Sequence, residues 1–288
     1  MTRSAHTANS PELHRFNRDF AWTDHPGPPR FLDPEQVLKY DRDGFFLLEN
    51  AVSSETRARL LEAIDPIESE LEALLRKAKD GHAFIARADE ITFTVHLVNR
   101  SRVCREFVQS ELFRGLCFDL LGPDVRLYWD QAVYKKPRTP SPFPWHQDNG
   151  YAYVEPQQYL TCWIALTDAD EENGCPIVVP RLHRKGTLSH RTTDLGFVCL
   201  DDPQETITVP ARAGDIVVFS SLTPHCTGPN RTREDVRKTY IVQFAPEGAA
   251  VVSAPSSDAI ESTPANDPTR QFPILVAGER PVEQSNRV

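Results

Sequence analysis

The chain has 288 residues, enough to bury one substantial core, and no linker-like stretch divides its middle. It carries 32 Lys and Arg against 41 Asp and Glu, and the net charge of −9 disfavours nucleic acid and anionic membranes as general partners. The polar N-terminal stretch and the lack of a long apolar run predict neither a secretory signal nor a membrane span. The six cysteines form no C-x-x-C pair, so we expect reduced thiols in a cytoplasmic protein, although an even count leaves disulfides formally possible.

The first half of the chain predicts helices around a single strand. Asp33-Pro34-Glu35 offers a helix cap, a proline in the first turn and an acid near the positive end of the helix dipole. Apolar residues then recur at helical spacing in two later stretches. In chain order the expected elements are a flexible N-terminal arm (1–30), a helix from Pro34, a strand (44–52), a helix capped by Ser53 or Ser54 that Pro66 kinks or splits, and a helix near 110–121.

From about residue 125 the pattern changes to short runs rich in Val, Ile, Tyr and Phe, most of them separated by Pro, Gly, Asn or Asp. No helical period interrupts these runs, which favours a β-sandwich or jelly roll over a parallel sheet with alternating helices. The predicted strands cover 125–136, 159–166, 175–180, 205–211, 215–220 and 239–244.

The domain organisation follows from these patterns. We expect one catalytic domain over residues 31–246, mainly β with flanking helices. The segment after Glu247 is rich in Ala, Ser, Pro and Asp and predicts a mobile linker within a C-terminal tail (247–288). Its FPILV run (272–276) is apolar enough to dock, so the tail is expected to be partly docked and the chain to be a monomer or a homodimer.

The first residues with chemical potential are His146-Gln147-Asp148 in the segment PWHQDNGY. On an extended strand, positions i and i+2 point to the same side, so the imidazole and the carboxylate would project together. An isolated H-x-D is a weak signal, and a surface turn is the more frequent explanation.

A second histidine strengthens the signal. His225, in SLTPHCTGPN, lies just beyond the predicted strand DIVVFS. Two histidines and one carboxylate are the ligand set that leaves coordination positions open on one side of Fe(II), where O2 and a reducing co-substrate can bind. The sequence therefore predicts an iron(II) site formed by His146, Asp148 and His225.

Arg237 follows His225 by 12 residues and enters the last predicted core strand. A guanidinium can hold a carboxylate by two hydrogen bonds, which is what the distal end of 2-oxoglutarate would need while its oxo acid end meets the metal. Thr227 could add a hydroxyl donor. Taken alone, an arginine at a strand start is usually a solvated edge residue.

Over roughly residues 40–245 the chain resembles the phytanoyl-CoA dioxygenase family of iron(II)/2-oxoglutarate oxygenases. The resemblance rests on WHQD, on Trp163, on NGCPIVVPRLHRKG (173–186), on PARAGDIVVF (210–219), and on HCTGPN followed by Arg237.

The resemblance implies a double-stranded β-helix (jelly-roll) core. The family's metal positions would be taken by His146, Asp148 and His225. The distal carboxylate of 2-oxoglutarate would be bound by Arg237 and Thr227. The co-substrate pocket would be lined by Gln147, Trp163 and, with weaker support, Gln131. The expected enzyme is a dioxygenase that uses Fe(II), 2-oxoglutarate and O2 on a small-molecule, natural-product or acyl substrate.

The sequence departs from the family pattern in one turn, where Pro180-Arg181-Leu182-His183 replaces Pro-Gly-Ser-His. The spacing between His225 and Arg237 is also one residue longer than is common. Asp148 stands where halogenating relatives carry a small residue, which favours hydroxylation. Desaturation or another oxidative rearrangement at the same site stays open, as does a non-catalytic metal-binding jelly roll, which would not need the Arg237 and Thr227 clamp.

Two further groups have open roles. Basic residues cluster at Arg181, Arg184 and Lys185 and again at Lys135, Lys136 and Arg138, where they either receive an anionic substrate or form solvated loop faces. Four aromatic residues near the H-x-D segment either form a substrate wall or pack in the core: Phe143, Trp145, Tyr151 and Tyr153.

Overall fold

The structure is a computed structural model, and it describes residues 11–25, 27–256 and 259–282. Within these residues the helices are α1 (Pro34–Asp43), α2 (Ser54–Lys77), α3 (Arg102–Val108) and α4 (Glu111–Leu121). No described helix is long and apolar enough to cross a membrane. All six cysteines are free thiols.

Local signals set the helix ends. The side chain of Gln36 accepts a hydrogen bond from the backbone N–H of Asp33 at 3.0 Å, which satisfies one free donor before α1. Gly44, at φ 86°, ends the same helix in the left-handed conformation that glycine adopts freely. The hydroxyl of Ser53 accepts from the backbone of Thr56 at 3.1 Å and caps α2. Pro66 lies inside α2 but does not split it.

The strands form antiparallel sheets. In chain order they are β1 (Phe45–Leu48), β2 (His82–Ala83), β3 (Ala86–Arg87), β4 (Ile91–Val95), β5 (Val125–Lys135), β6 (Phe143–His146), β7 (Val154–Glu155), β8 (Leu160–Ala165), β9 (Pro176–Val178), β10 (Arg191–Thr193), β11 (Gly196–Val198), β12 (Ile207–Thr208), β13 (Ile216–Ser220), β14 (His225–Thr227), β15 (Arg237–Pro246), β16 (Ala250–Ser256), β17 (Ala259–Pro264) and β18 (Pro273–Leu275).

A large nine-stranded sheet has the order β1-β13-β8-β15-β5-β4-β3-β2, with β18 added beside β5. A smaller sheet has the order β12-β9-β14-β6. A hairpin of β16 and β17 pairs with β7, and β10 pairs with β11. The predicted class, mainly β with flanking helices and a jelly-roll core, is confirmed.

The large sheet separates two apolar clusters. Its outer face, with residues such as Cys162, Ile164 and Tyr240, packs against the helices. Its inner face, with Trp163 and Val217, packs against Val178 of the smaller sheet. Because side chains alternate along a strand, every second residue of β8, β15 and β5 faces the space between the sheets, and that space holds the candidate site.

The predicted flexible arm is wrong for its described part, because polar groups tie it to the domain. The buried amide of Asn17 donates to the backbone carbonyls of Lys185 and Thr187, each at 2.9 Å. The His25 ring contacts the Asp41 carboxylate at 2.6 Å. Residues 1–10 lie outside the described residues.

The predicted mobile linker after Glu247 is also wrong, because β16 and β17 form a hairpin there. The FPILV run docks on its own chain: β18 pairs with β5, and Phe272, Ile274 and Leu275 are buried. The tail therefore packs on its own domain through β18, and residues 283–288 lie outside the described residues.

Candidate metal and co-substrate site

Two strands of the smaller sheet carry the predicted metal ligands. His146 ends β6, and His225 begins β14. These strands pair antiparallel with His225 directly opposite His146, so a register between distant segments brings the two rings to 4.1 Å between centroids. Asp148 follows two residues after His146, in a short 3₁₀ turn.

The three side chains converge as the sequence predicted. The Nε2 atoms of His146 and His225 each lie 3.9 Å from Oδ1 of Asp148. One ligand atom from each residue can be chosen so that all three lie within 4.8 Å of one another.

The residues present fit a metal ion. Nδ1 of His146 meets the carbonyl of Pro144 at 2.8 Å, and Nδ1 of His225 meets the carbonyl of Thr223 at 3.0 Å. A carbonyl can only accept, so each Nδ1 carries the proton and each Nε2 keeps its lone pair for a metal. Burial, helped by the charge of His225, holds the pKa of His146 well below its ordinary value. His146 is therefore neutral at physiological pH, which is the form that coordinates.

Thr161 orients the carboxylate of Asp148. Its hydroxyl donates to Oδ2 of Asp148 at 2.5 Å, which leaves Oδ1 on the side of the two histidines. Thr161 lies on the inner face of β8 and is fully buried. The sequence analysis missed this residue, since only the pairing of distant strands brings it to the metal ligands.

Arg237 lies deeper between the sheets and is almost completely buried. One Nη1 donates to the carbonyl of Gly174 at 3.0 Å, and the guanidinium lies 5.3 Å from the ring centroid of Trp163. Its Nε is buried without a hydrogen-bond partner. Burial lowers the pKa of Arg237 to about 10, so the group is still charged at neutral pH. A buried cation with a free donor and no carboxylate beside it in the described structure is suited to an anionic ligand.

A second buried basic side chain lies beside it. Lys135 pairs with Arg237 across β5 and β15, and its side chain is buried. Its Nζ donates to Oγ1 of Thr227 at 3.1 Å and to the carbonyl of Gly228 at 2.5 Å. Burial, followed by the charge of Arg237, holds the pKa of Lys135 well below its ordinary value. The sequence left this lysine either as a contact for an anionic substrate or as part of a solvated loop face, and its burial is inconsistent with the solvated loop face.

The other predicted pocket residues divide into two groups. Trp163 and Gln131 share the inner face of the large sheet, since both pair with Ile241 of β15. Gln147 points elsewhere: its amide donates to the carbonyls of Gly186 and Leu222 and accepts from the N–H of Leu188. These three bonds give Gln147 a structural function, and its predicted contact with a co-substrate has no support in this arrangement.

The altered turn at Arg181 keeps a left-handed backbone. Arg181 has φ 68°, a conformation that the glycine of the family pattern adopts without steric cost. Its side chain reaches Glu205 at 3.1 Å, and Arg184 reaches Asp24 at 2.8 Å, both at the surface. These two arginines are therefore solvated loop residues, whereas His183 is fully buried.

Two buried histidines and a partly buried carboxylate lie between the jelly-roll sheets, near a buried guanidinium that has no carboxylate partner among the described residues. This arrangement defines a metal-dependent jelly-roll enzyme with room for a carboxylate co-substrate. The comparisons with known proteins agree with this class. The sequence pattern of the phytanoyl-CoA dioxygenase family matches residues 40–239, and the chain belongs to that family.

Several known proteins are similar to this chain over most of its length. The ectoine dioxygenase of Bordetella parapertussis is 30% identical over 221 residues, which cover 69% of this chain and 71% of that protein. A probable alpha-ketoglutarate-dependent hypophosphite dioxygenase of Stutzerimonas stutzeri is 24% identical over 237 residues, 72% of this chain and 76% of that one. The crystal structure of EvdO2 from Micromonospora carbonacea var. aurantiaca, complexed with 2-oxoglutarate, superposes with a TM-score of 0.61 at 26% identity and covers 78% of this chain and 95% of its own. The protein is a non-haem iron dioxygenase that depends on 2-oxoglutarate.

Proposed function

We propose that this enzyme hydroxylates an unactivated C–H bond of a small-molecule substrate, with His146, Asp148 and His225 holding the iron. Bound iron(II) supplies oxidative decarboxylation of 2-oxoglutarate to succinate, coupled to oxidation of the substrate. The chain supplies orientation, charge and exclusion of water. Asp148 favours hydroxylation over halogenation, because its carboxylate occupies the side of the site that a halide would need.

One observation carries the co-substrate assignment: the buried guanidinium of Arg237 has a free Nε. In the proposed complex Arg237 binds the distal carboxylate of 2-oxoglutarate through two parallel hydrogen bonds. Thr227 lies beside it and accepts a hydrogen bond from Lys135 at 3.1 Å. Because that bond uses a lone pair of the Thr227 hydroxyl, the proton of the hydroxyl is free to point at the carboxylate. Trp163 forms a flat wall behind the guanidinium.

The test is a titration of 2-oxoglutarate into anaerobic Fe(II)-loaded protein, followed by the visible charge-transfer band. Truncating one partner of a buried charged pair costs roughly 2–5 kcal/mol, so Arg237→Ala should weaken binding by about 30-fold to a few thousand-fold. Arg237→Lys should recover part of the loss, since an ammonium cannot form both parallel bonds. Fe(II) affinity should be unchanged in both variants.

The matched control is Arg233→Ala, which removes an exposed arginine from the loop before β15. It should bind 2-oxoglutarate like the wild type. Equal affinities of wild type and Arg237→Ala would remove the co-substrate assignment. If His146→Ala or His225→Ala kept full iron occupancy and turnover, the proposed iron ligands would be wrong.

A non-catalytic metal-binding jelly roll is the alternative from another class, and Arg237 and Thr227 favour the enzyme. Succinate release, measured while a substrate panel is added to the iron-loaded protein, separates the two, because a binding module would release none. The same panel, with the mass of the product measured, separates hydroxylation from desaturation.

The free thiols support a cytoplasmic location. Docking of β18 on its own chain supports a monomer, with a homodimer as the other state to test.

A further inference from the structure

A cavity of about 510 Å³ opens above the metal ligands and ends at His146 and Asp148. Its size lies within the range of about 300–1,000 Å³ that encloses drug-sized ligands. Phe93 and Val95 of β4 line one part of the cavity, and Phe143 and Tyr151 line the part next to His146. Two of the four aromatic residues predicted near the H-x-D segment therefore face this cavity.

The lining offers no cation among the described residues. Its ionisable side chains are the two metal ligands and the phenols of Tyr128, Tyr151 and Tyr159. Two arginines lie close by, and neither is among the residues that line the cavity. Arg270 lies 6.0 Å from the ring centroid of Trp129 and pairs with Asp267 at 3.0 Å, and Arg87 donates to the carbonyl of Asp194 at 2.6 Å.

The surroundings disfavour charge. Burial raises the pKa of Tyr128 to about 12, against the opposing effect of the charge of Arg270. Desolvation of the charged form is the cause, so the wall around Tyr128 solvates an anion poorly. A carboxylate or phosphonate placed here would lose its hydration without gaining a cationic side chain from the wall.

Flat aromatic pairs form much of the wall. Tyr151 and Phe197 stack with centroids 4.8 Å apart, and Phe93 and Phe143 lie 5.5 Å apart. Rigid aromatic faces give a ring-shaped ligand a large contact area at a low cost in conformational entropy.

Two side-chain amides also line the cavity. The side-chain oxygen of Gln131 accepts from Nε1 of Trp129 at 3.2 Å, which leaves the NH2 group of Gln131 to donate. Gln243 also lines the cavity, and its amide nitrogen reaches Oγ1 of Thr161 at 3.4 Å. A carbonyl or hydroxyl oxygen is the ligand group that the Gln131 amide would meet.

We propose that the substrate is an uncharged, predominantly apolar ring compound that places a carbonyl or hydroxyl group at Gln131. This inference rests on the oxygenase function proposed above and narrows its substrate class. It separates the enzyme from its relative named for hypophosphite, a small anion, since such a substrate would need a cation that this cavity wall lacks.

The probe is a pair of ligands of nearly the same shape, 1-naphthaleneacetamide and 1-naphthaleneacetate, of which only the second is charged. Calorimetric titrations are run on anaerobic protein loaded with Fe(II) and 2-oxoglutarate, and again on metal-free protein. We expect the amide to bind with a dissociation constant at least about tenfold lower than that of the acid. Equal or tighter binding of the acid, or no binding of either ligand, would overturn the substrate class.

Two variants of cavity residues test whether an added positive charge changes the ligand preference. Val95→Lys and Ala152→Lys each add a cation to the lining and should move the preference toward the acid, provided that near-ultraviolet circular dichroism shows a native fold. Leu38→Lys, on the exposed side of α1, is the matched control and should keep the wild-type preference. Gln131→Leu should weaken the amide but not naphthalene itself. The two proposals can fail separately. If Fe(II) and 2-oxoglutarate give no charge-transfer band while the amide still binds metal-free protein, the oxygenase proposal is wrong but the preference of the cavity for an uncharged ligand is supported.

Discussion

The side chain of Lys135 donates to the hydroxyl of Thr227 at 3.1 Å, and Lys135 lies directly opposite the buried Arg237 in the pairing of β5 and β15. Two basic side chains therefore share one interior space, and among the described residues no carboxylate forms an ion pair with either of them. Such an arrangement is costly in the free protein and is relieved when an anion enters. The distal carboxylate of 2-oxoglutarate is the anion that the proposed function supplies.

Lys135→Met should weaken 2-oxoglutarate binding by roughly 10- to 100-fold, the effect of one charged hydrogen bond of about 1.5–3 kcal/mol. The pH dependence has a definite sign. The pKa of Lys135 is depressed in the free protein, and a bound carboxylate raises it, so binding takes up a proton. The affinity of the wild type should therefore fall as pH rises, and this slope should disappear in Lys135→Met. The charge-transfer titration at several pH values measures both effects.

Lys136→Met is the matched control, because Lys136 faces the other side of the sheet and pairs with Glu68 at 2.5 Å. Loss of Lys135 should not lower the melting temperature, since an apolar side chain can replace a buried charge at no net cost. Wild-type affinity and an unchanged pH slope in Lys135→Met would show that Lys135 takes no part in co-substrate binding.

Thr161→Val removes the hydroxyl that donates to Asp148 and keeps the shape of the side chain. Removing a group that hydrogen-bonds to a metal ligand typically lowers metal affinity by about 10- to 100-fold, so the dissociation constant for Fe(II) should rise by that factor. Competition with a chromogenic chelator under anaerobic conditions measures it. Thr239→Val is the control, because this buried hydroxyl donates to the carbonyl of Val133 at 3.0 Å instead. Equal losses in the two variants would point to general destabilisation.

His183 predicts an acid-sensitive step in stability. Burial lowers its pKa to about 4, and Nε2 meets the carbonyl of Asp41 at 3.2 Å. The folded protein thus prefers the neutral ring, and this contribution is complete above pH 6.5 and is lost as pH falls toward 4. Lowering the pH from 7.5 to 5 should cost about 2 kcal/mol through this group. Urea unfolding of chelator-treated protein at the two pH values measures this cost. Between pH 7.5 and 5, His183→Gln should lose about 2 kcal/mol less of its free energy of unfolding than the wild type loses. The exposed His82→Gln should keep the full loss.

Local pattern was enough to predict much of the β domain. The run 125–136 became β5, and the run 215–220 became β13, because alternation and turn residues act over short distances. The same alternation predicts that His146 and Asp148 point to one side. It does not predict that His225 lies opposite His146, because that depends on the register between β6 and β14. The resemblance to a known family supplied that relation.

Lys135 and Asn17 show what local pattern misses. Lys135 precedes Lys136 and Arg138, so composition predicts a solvated basic face. Counting alternate residues from Gln131 along β5 would have placed Lys135 on the inner face. Asn17 belongs to a polar segment, and its structure comes from hydrogen bonds to carbonyls more than 160 residues away. Such contacts leave no periodic signal in the sequence.

Gly174 links the two halves of the proposed carboxylate pocket and gives a sharp test of its geometry. It has φ 90°, and a Cβ added there would lie 2.4 Å from the carbonyl oxygen of Gly228. The carbonyl of Gly174 accepts from Arg237 at 3.0 Å, while the carbonyl of Gly228 accepts from Lys135 at 2.5 Å. To relieve the clash, the backbone of Gly174 or of Gly228 must move. Either movement shifts a carbonyl that accepts a hydrogen bond from Arg237 or from Lys135.

Gly174→Ala should lower the free energy of unfolding by more than the roughly 1–3 kcal/mol that a strained backbone conformation usually costs, because the added Cβ also clashes with Gly228. It should also weaken 2-oxoglutarate binding while leaving Fe(II) affinity near the wild-type value, because the metal ligands lie on other segments. Gly248→Ala is a close control: Gly248 has φ 83° with nothing within 4 Å of an added Cβ, so it takes the backbone cost without the clash. Urea unfolding and the two ligand titrations measure the three quantities. If Gly174→Ala and Gly248→Ala lose the same stability and both bind 2-oxoglutarate normally, the backbone at Gly174 does not hold Arg237 in a binding position.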